Sequence, residues 1–222
     1  MDTIPKYEIA VVGGGAAGLM AAGEAAKVLG GGKVALLEAA PRVGKKLLAT
    51  GNGRCNITNL SAAWPLYHGD APLAKAVFES ISPAEVLRQF EEMGLFCREE
   101  EQGRVYPQNG QASAVLDALR LFFQKQGGEE LCGAAVVQIK RQKGGYSLGL
   151  EDGRTLLARR LILAQGGKAS PQISSDQGVS LARRLGHSQT ALYPALVQVT
   201  VPQAMVRALS LIHISEPTRH SL

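Results

Sequence analysis

Three glycines near the start of the chain have the spacing of a diphosphate-binding turn. Gly13, Gly15 and Gly18 fit the pattern Gly-x-Gly-x-x-Gly and directly follow an apolar run, residues 9–12. The first glycine makes a tight turn, the second lets the backbone approach a diphosphate, and the third lets the next helix pack closely. Free amides at the first helical turn, about residues 16–19, and the helix dipole both favour the negative charge of the phosphates.

A glutamate after the second apolar run supplies the acceptor that a dinucleotide site also needs. Residues 33–37 predict a parallel strand buried on both faces, and Glu38 follows it, about 20 residues beyond Gly18. A carboxylate there accepts hydrogen bonds from a ribose 2′-OH and repels a 2′-phosphate, so we expect FAD or NAD and not NADP. The alternative is a glycine-rich surface loop with a solvent-facing glutamate, which the strand–helix–strand context disfavours.

The elements that must position these residues follow the pattern of an α/β protein. Alanines before residues 30–32 predict a helix that lies close to a sheet and ends at three glycines. A helix is predicted over residues 70–94, where Ser82 and Glu85 form a capping box, and another over residues 112–126.

Short strands and turns are predicted between and after these helices. The acidic turn at residues 99–101, which we expect to be solvated, separates strands over residues 95–98 and 104–106. The turn signals Gly144-Gly145 and Asp152-Gly153 then indicate an antiparallel meander in place of a crossover helix. The predicted strands of this part cover residues 134–141, 146–151, 154–158 and 161–164, and a short helix covers residues 178–186.

The stretch over residues 38–59 has the composition of a ligand-lining loop. Its glycines permit close backbone approach, and its basic side chains could neutralise a diphosphate or a substrate carboxylate. An ordinary, positively charged surface loop explains the composition equally well. The residues concerned are Gly44, Gly51, Gly53, Arg42, Lys45, Lys46 and Arg54.

Charge and cysteine usage disfavour several classes of protein. The net charge of +5 comes from basic residues scattered along the chain, and no basic cluster with interleaved aromatics indicates nucleic-acid binding. The three cysteines, Cys55, Cys97 and Cys132, form neither a disulfide framework nor a zinc pair. We therefore expect no nucleic-acid partner and no metal.

The sequence also lacks the patterns of membrane insertion or export. No apolar run approaches the roughly 20 residues of a membrane span. The first residues lack the basic, apolar and small-residue regions of a signal peptide. We expect a cytoplasmic protein with no membrane partner.

Three motifs carry a resemblance to a known family. The turn GGGAAG, the stretch RVGKKLLATGNGRCNITN and the later LILAQGGKASP resemble bacterial and archaeal flavoproteins of the aminoacetone-oxidase-like or bile-acid-operon-type NAD(P)/FAD-dependent oxidoreductases. The middle motif, with TGNGRCN at residues 50–56, is the specific one. The resemblance implies bound FAD and a glutathione-reductase-like FAD domain, that is, a Rossmann-like parallel sheet with a β-meander crossover.

The same resemblance extends the predicted site and the domain organisation. It implies that Val136 touches the adenine and that Gly166-Gly167 makes a second FAD phosphate contact, next to Gln165 where many family members carry threonine. An inserted, mostly-β substrate-side domain is expected to start over residues 191–208, after an incomplete FAD-binding domain over residues 1–190. The predicted cofactor-binding residues are Gly13, Gly15, Ala16, Ala17, Gly18, Glu38, Lys46, Gly51, Arg54, Val136, Ala164, Gly166 and Gly167.

The last residues do not follow the family. Residues 209–219, LSLIHISEPTR, resemble the in-frame translation of a transposase adapter used in sequencing libraries. We expect that residues 209–222 are not native and that the chain is roughly the first half of a longer enzyme.

These features predict a flavin-dependent oxidoreductase that acts on a small organic molecule. The electron partner of the flavin is NAD(P)H, acting transiently, or dioxygen, because no second Gly-x-Gly-x-x-Gly follows Gly167. No catalytic side chain is identified, which agrees with chemistry carried by a cofactor. An NAD-dependent dehydrogenase and an inactive dinucleotide-binding module are the alternatives.

Overall fold

The computed structural model describes residues 6–67, 71–167 and 177–191. The chain divides into two units, Met1–Ser188 and Gln189–Leu222, and the first contains every helix and strand described below. The tail at residues 209–222 lies outside the described residues, as does nearly all of the segment over residues 191–208 that was assigned to an inserted domain.

A mixed sheet of six strands is the centre of the first unit. Its strand order is β6-β2-β1-β9-β8-β7, and pairing is parallel from β6 to β9 and antiparallel from β9 to β7. This arrangement confirms the predicted Rossmann-like sheet with a β-meander. The strands are β1 Lys6–Val12, β2 Val34–Leu37, β6 Glu129–Leu131, β7 Val136–Gln142, β8 Gly145–Leu150 and β9 Thr155–Leu163.

Helices cover the sheet and bury the apolar side chains of its strands. On one face, Val11 and Leu36 pack with Leu19 and Phe123, which come from two helices that contact each other. On the other face, the apolar side chains of the meander strands form a second core with Leu181. The helices are α1 Ala16–Leu29, α2 Lys45–Ala49, α3 Ala71–Ser80, α4 Pro83–Glu92, α5 Ala112–Lys125 and α6 Gln177–Arg184.

The strands predicted over residues 154–158 and 161–164 are one strand, β9. Residues 155–158 of β9 pair with β8. Residues 157–163 pair with β1, from Lys6 opposite Leu157 to Val12 opposite Leu163. The exposed pair Arg159-Arg160 suggested a break in the strand. The pairing of β9 with β8 ends at Ala158, however, so both arginines lie beside an unpaired strand edge, where their charged groups remain solvated.

The edge strand β6 was absent from the sequence-based prediction. Its three residues, EEL, carry no apolar alternation, and they pair with Ala35, Leu36 and Leu37 of β2 through the backbone. The Tyr7 hydroxyl also donates a hydrogen bond to Glu129 at 2.7 Å, which joins β6 to the start of β1. Burial and the hydrogen bond to Glu129 raise the pKa of Tyr7.

The segment predicted as one helix over residues 70–94 contains two helices, α3 and α4. Ser82 begins α4 and accepts a hydrogen bond from the Glu85 amide at 3.2 Å, as the capping box predicts. The break lies before Ser82 because Pro83 disfavours helical backbone at the residue that precedes it.

A second, small sheet lies beside the main one, in the order β3-β5-β4. It contains the two short strands predicted around the acidic turn, at slightly shifted bounds, together with a strand that the sequence did not predict. These strands are β3 Thr58–Asn59, β4 Cys97–Glu99 and β5 Arg104–Pro107.

Candidate functional site

The glycine turn between β1 and α1 is packed against the end of β9. Gly13 has φ +110°, and a Cβ there would lie 2.7 Å from backbone atoms of Ala164 and Gln165. A Cβ on Gly18 would overlap the Gly13 carbonyl oxygen. Close backbone packing therefore requires glycine at both positions, as the motif predicts. Gly13 packs against the residues that follow β9, whereas Gly18 packs against the backbone of the glycine turn.

Gly15 differs from these two glycines because a Cβ there meets no atom within 4 Å. Gly15 is the N-cap residue of α1. In the first backbone hydrogen bond of the helix, the Leu19 amide donates to the Gly15 carbonyl at 2.9 Å. The amides of Ala16 and Ala17 precede that bond, so they have no acceptor within the helix. Both residues are exposed, and the positive end of the helix dipole adds to their amides.

Glu38 connects the end of β2 to the glycine turn. Its Oε2 accepts a hydrogen bond from the Gly14 amide at 2.7 Å, and its Oε1 accepts one from the Ala40 amide at 2.8 Å. The Glu38 amide donates a hydrogen bond to the Leu131 carbonyl, and the Glu38 carbonyl accepts one from the Ala134 amide. Each carboxylate oxygen retains acceptor capacity, because it has more than one lone-pair direction.

A cleft of about 580 Å³ opens at the carboxyl ends of these strands. This volume lies within the range of small-molecule sites in proteins. Nine predicted residues line the cleft, namely Gly13, Gly15, Ala16, Ala17, Glu38, Lys46, Val136, Ala164 and Gly166. The predicted residues that do not line it are Gly18, Gly51, Arg54 and Gly167.

The cleft also has walls that were not predicted as site residues. Val12 and Leu37 are the last residues of their strands, so the strand-end rule for parallel sheets could have identified them. Gly14 lies between two glycines of the motif and is not itself a motif position, so the pattern did not identify it. In the structure it is close to the carboxylate, because a Cβ on Gly14 would lie 3.0 Å from Glu38 Oε2. Lys45, which the loop composition had suggested as a possible ligand-neutralising residue, also lines the cleft. The remaining lining residues are Ala39, Ala40, Leu47, Thr50, Cys55, Asn56, Ala134 and Gln165.

Arg54 is not available to a diphosphate in the way that the loop composition suggested. Its guanidinium donates to Glu100 and lies over the Tyr106 ring, 4.1 Å from the ring centroid. Glu100 also pairs with Arg98 at 3.0 Å. The acidic turn is therefore not simply solvated, and the hydrogen bond from Arg54 lowers the pKa of Glu100.

Lys46 is one of two basic residues of the loop that line the cleft, together with Lys45. Its Nζ donates to the Gly167 carbonyl at 3.3 Å, and a Cβ on Gly166 would lie 2.7 Å from it. Lys46 thus connects α2 to the loop after β9 and leaves a positive charge at the edge of the cleft.

The TGNGRCN motif forms a tight turn that presents Cys55 to the cleft. Gly51, Asn52, Gly53 and Cys55 all have φ between +53° and +81°, the left-handed region. Cys55 is buried, and burial raises the pKa of its thiol. Cys55 is therefore a packed residue in the wall of the cleft.

The residues of the cleft fit the adenosine-diphosphate part of a dinucleotide. Open space beside Gly15 and the amides of Ala16 and Ala17 suit a diphosphate, which only accepts hydrogen bonds. Glu38, also in the cleft, suits a ribose diol, which donates them. Among the described residues, no group of three or more His, Cys, Asp or Glu is placed to hold a metal ion. No helix in the described part is long and apolar enough to cross a membrane.

The parallel core, the meander and this cleft define a dinucleotide-binding Rossmann domain of the flavoprotein type. The chain belongs to the HI0933-like family, because the family profile of the HI0933-like protein Rossmann domain matches residues 7–200. This assignment confirms the resemblance found in the sequence, and the family is one of FAD-binding oxidoreductases.

Two curated relatives illustrate the family. Over 195 residues the chain is 40% identical to a 3-dehydro-bile acid delta(4,6)-reductase of Clostridium scindens, covering 87% of this chain and 47% of the relative. It is 23% identical over 209 residues to the ribosomal RNA dihydrouridine synthase of Escherichia coli, covering 93% and 51%. The chain therefore spans about half the length of the curated relatives it matches.

Solved structures share the fold at low sequence identity. An open conformation of a flavocytochrome c3 fumarate reductase matches with a TM-score of 0.59 at 18% identity, covering 82% of this chain and 41% of that one. The 3-ketosteroid-delta4-(5alpha)-dehydrogenase of Rhodococcus jostii RHA1 matches with a TM-score of 0.56 at 15% identity, covering 74% and 46%.

Proposed function

We propose that this chain belongs to an FAD-dependent reductase that saturates a carbon–carbon double bond conjugated to a carbonyl group in a small organic molecule. The names of the two relatives support this reaction class. A 3-dehydro-bile acid delta(4,6)-reductase acts on ring double bonds of an oxo compound, and a dihydrouridine synthase reduces the ring of uridine. The higher identity to the bile-acid enzyme favours a small molecule over RNA.

The observation that carries the proposal is the arrangement of the cleft around the glycine turn. Amides of Ala16 and Ala17 donate toward the diphosphate position, next to the open side of Gly15. Glu38 accepts from the ribose, and Val136 forms an apolar wall for the adenine. When bound, FAD supplies the group that accepts and donates a hydride. The protein residues bind and orient it.

Glu38 has a second role in our proposal, which is selection of the dinucleotide. Its carboxylate repels a 2′-phosphate, so the resident cofactor is FAD and not NADP. NAD(P)H acts as the transient reductant that supplies the electrons for this reaction. Dioxygen only accepts electrons, so it would be the electron partner only if the flavin oxidised its substrate instead. The rival proposals are direct use of the cleft by NAD in a dehydrogenase and a binding module without turnover.

We also propose a cytoplasmic location and a small-molecule substrate, without a nucleic-acid or membrane partner. The free thiols of Cys55, Cys97 and Cys132 support a reducing compartment. Cell fractionation that recovers the protein with the membrane would contradict this part of the proposal.

An anaerobic half-reaction experiment tests the reaction class. The flavin-loaded protein is reduced with NADH or NADPH, and its absorbance is followed after mixing with a 3-dehydro-4,6-diene bile acid. We expect the oxidised flavin spectrum to return, and we expect no return with the same acid lacking ring double bonds. Reoxidation by ribosomal RNA instead would redirect the proposal to the RNA-modifying relatives, and reoxidation by dioxygen alone would overturn it.

A further inference from the structure

The TGNGRCN turn forms one part of the wall of the cleft. Thr50, Cys55 and Asn56 line the cleft, and we call these three residues the loop wall. The turn that carries them has left-handed backbone at two residues other than glycine, Asn52 with φ +53° and Cys55 with φ +58°. Such backbone is common for asparagine but unfavourable for cysteine, and it persists only where surrounding contacts fix it. The loop wall therefore depends on the contacts that hold this turn.

Backbone hydrogen bonds close the turn on itself and anchor its exit. The Arg54 amide donates to the Gly51 carbonyl at 3.0 Å, and the Cys55 amide donates to the Thr50 carbonyl at 3.1 Å. After the turn, the Ile57 amide donates to a carbonyl of β5 at 2.9 Å. These bonds set the shape of the turn. The contacts that join its middle to the small sheet come from a side chain, that of Arg54.

The side chain of Arg54 connects the turn to two strands of the small sheet. Its guanidinium donates to Glu100, which follows β4, and lies 4.1 Å from the centroid of the Tyr106 ring in β5. Arg98 of β4 also pairs with Glu100 at 3.0 Å, so this carboxylate is itself held. The Tyr106 ring is buried and approaches the turn directly, since a Cβ on Gly51 would lie 3.7 Å from its Cε1. Contacts to the face and to a donor edge of the guanidinium therefore fix this planar group.

We infer that Arg54 is a positioning residue, which holds the loop wall in place through Tyr106 and Glu100, and not a ligand of the cofactor. An isolated ion pair at the surface contributes little, but the stacked ring makes this contact geometrically specific. The inference rests on the proposed function, because it takes FAD as the molecule in the cleft. In that proposal the adenosine-diphosphate half of FAD contacts the glycine turn and Glu38, which leaves the loop wall to the remaining half. Loss of the Arg54 contacts should therefore weaken FAD binding more than ADP binding.

The substitution Arg54→Lys tests this inference, because lysine keeps the charge but lacks the planar group that stacks on Tyr106. We expect Arg54→Lys to bind FAD about tenfold more weakly, the factor that corresponds to one such contact, and to bind ADP with the parental affinity. Tyr106→Leu should show the same pattern, whereas Tyr106→Phe keeps the ring and should bind FAD as the parent does. The matched control is Arg88→Lys on α4, where the arginine pairs with Glu85 outside the cleft lining. It should change neither affinity.

The outcomes separate the inference from the proposal beneath it. Parental FAD affinity of Arg54→Lys or of Tyr106→Leu would overturn the inference and leave the proposed function standing. Equal weakening of FAD and ADP by Arg54→Lys would also overturn it, because Arg54 would then act on the adenosine-diphosphate half. Equal losses of FAD affinity in Tyr106→Phe and Tyr106→Leu would show that the stacked ring is not responsible. Absence of FAD and ADP binding by the parent would overturn the proposed function itself.

Discussion

Glu38 Oε2 lies 2.7 Å from the amide nitrogen of Gly14, so the carboxylate at the end of β2 fixes the glycine turn after β1. Residues far apart in the chain thereby form one wall of the cleft. The same carboxylate has acceptor capacity left for a ribose. It can therefore position the glycine turn and bind the ligand at the same time. Loss of Glu38 should therefore affect both the turn and the ligand.

Truncation of this side chain in Glu38→Ala should weaken FAD binding by about 1.5–3 kcal/mol, the scale of a hydrogen bond to a charged group. This loss corresponds to a rise in Kd of about ten- to 150-fold. Titration of apoprotein with FAD measures it. The exposed Glu151 in the β8–β9 turn provides the control Glu151→Ala, and equal FAD affinity of the two variants would show that the ribose is held elsewhere.

The open side of Gly15 predicts a variant that folds but does not bind. Gly15 has φ −81°, which valine also adopts, and its Cβ direction is free of protein atoms. Gly15→Val should keep the melting temperature of the apoprotein and abolish FAD binding, because the side chain occupies the diphosphate position. Gly149→Val on β8, where a Cβ makes ordinary contact, is the control that should retain FAD. FAD at parental stoichiometry in Gly15→Val would refute the assignment of the turn.

Gly18 should show the opposite behaviour. The methyl group of Gly18→Ala overlaps the Gly13 carbonyl oxygen, so the turn and α1 must move apart. We expect the free energy of unfolding to fall by about 1–3 kcal/mol, as for other overpacked sites. Denaturant unfolding without ligand measures this change, with Gly15→Ala as the comparison. Equal free energies of unfolding for Gly18→Ala and Gly15→Ala would show that Gly18 does not pack closely against the Gly13 carbonyl.

The pairing of Arg54 with Glu100 predicts a pH dependence. The hydrogen bond from Arg54 holds the pKa of Glu100 below its usual value, so this contact stabilises the folded state above the usual carboxyl pKa and is lost as the pH falls below it. Melting temperatures of the parent and Glu100→Gln should therefore converge between about pH 6 and about pH 3. Glu99→Gln in the neighbouring strand is the control, and a constant difference across this range would contradict the pairing.

The parts of the fold with strong periodicity could be predicted from the sequence, and those held by backbone pairing could not. The opening strand, turn and helix around Gly13 and Glu38 were predicted because each glycine has a defined steric role. The edge strand β6 has no apolar alternation, so its pairing with β2 leaves no local signal. β9 was divided because Arg159-Arg160 interrupts an apolar pattern that the strand itself continues.

The candidate site shows the same division. Cleft residues at strand ends and in the glycine turn follow from the motif and the sheet. Composition alone assigned Arg54 and Lys46 equally to the ligand, and only tertiary contacts separate them. Arg54 forms a hydrogen-bonded ion pair with Glu100, which lies 46 residues further along the chain. Lys46 instead donates to the Gly167 carbonyl in the loop after β9.

In the proposed function, the cleft between the glycine turn and Glu38 binds the adenosine-diphosphate half of FAD. Calorimetric titration of the purified apoprotein with FAD, ADP and flavin mononucleotide tests it most directly. We predict that FAD and ADP bind one common site and compete for it, that flavin mononucleotide does not displace them, and that Gly15→Val binds neither. Binding of flavin mononucleotide without ADP, or unchanged ADP binding by Gly15→Val, would show that this cleft is not the adenosine-diphosphate site.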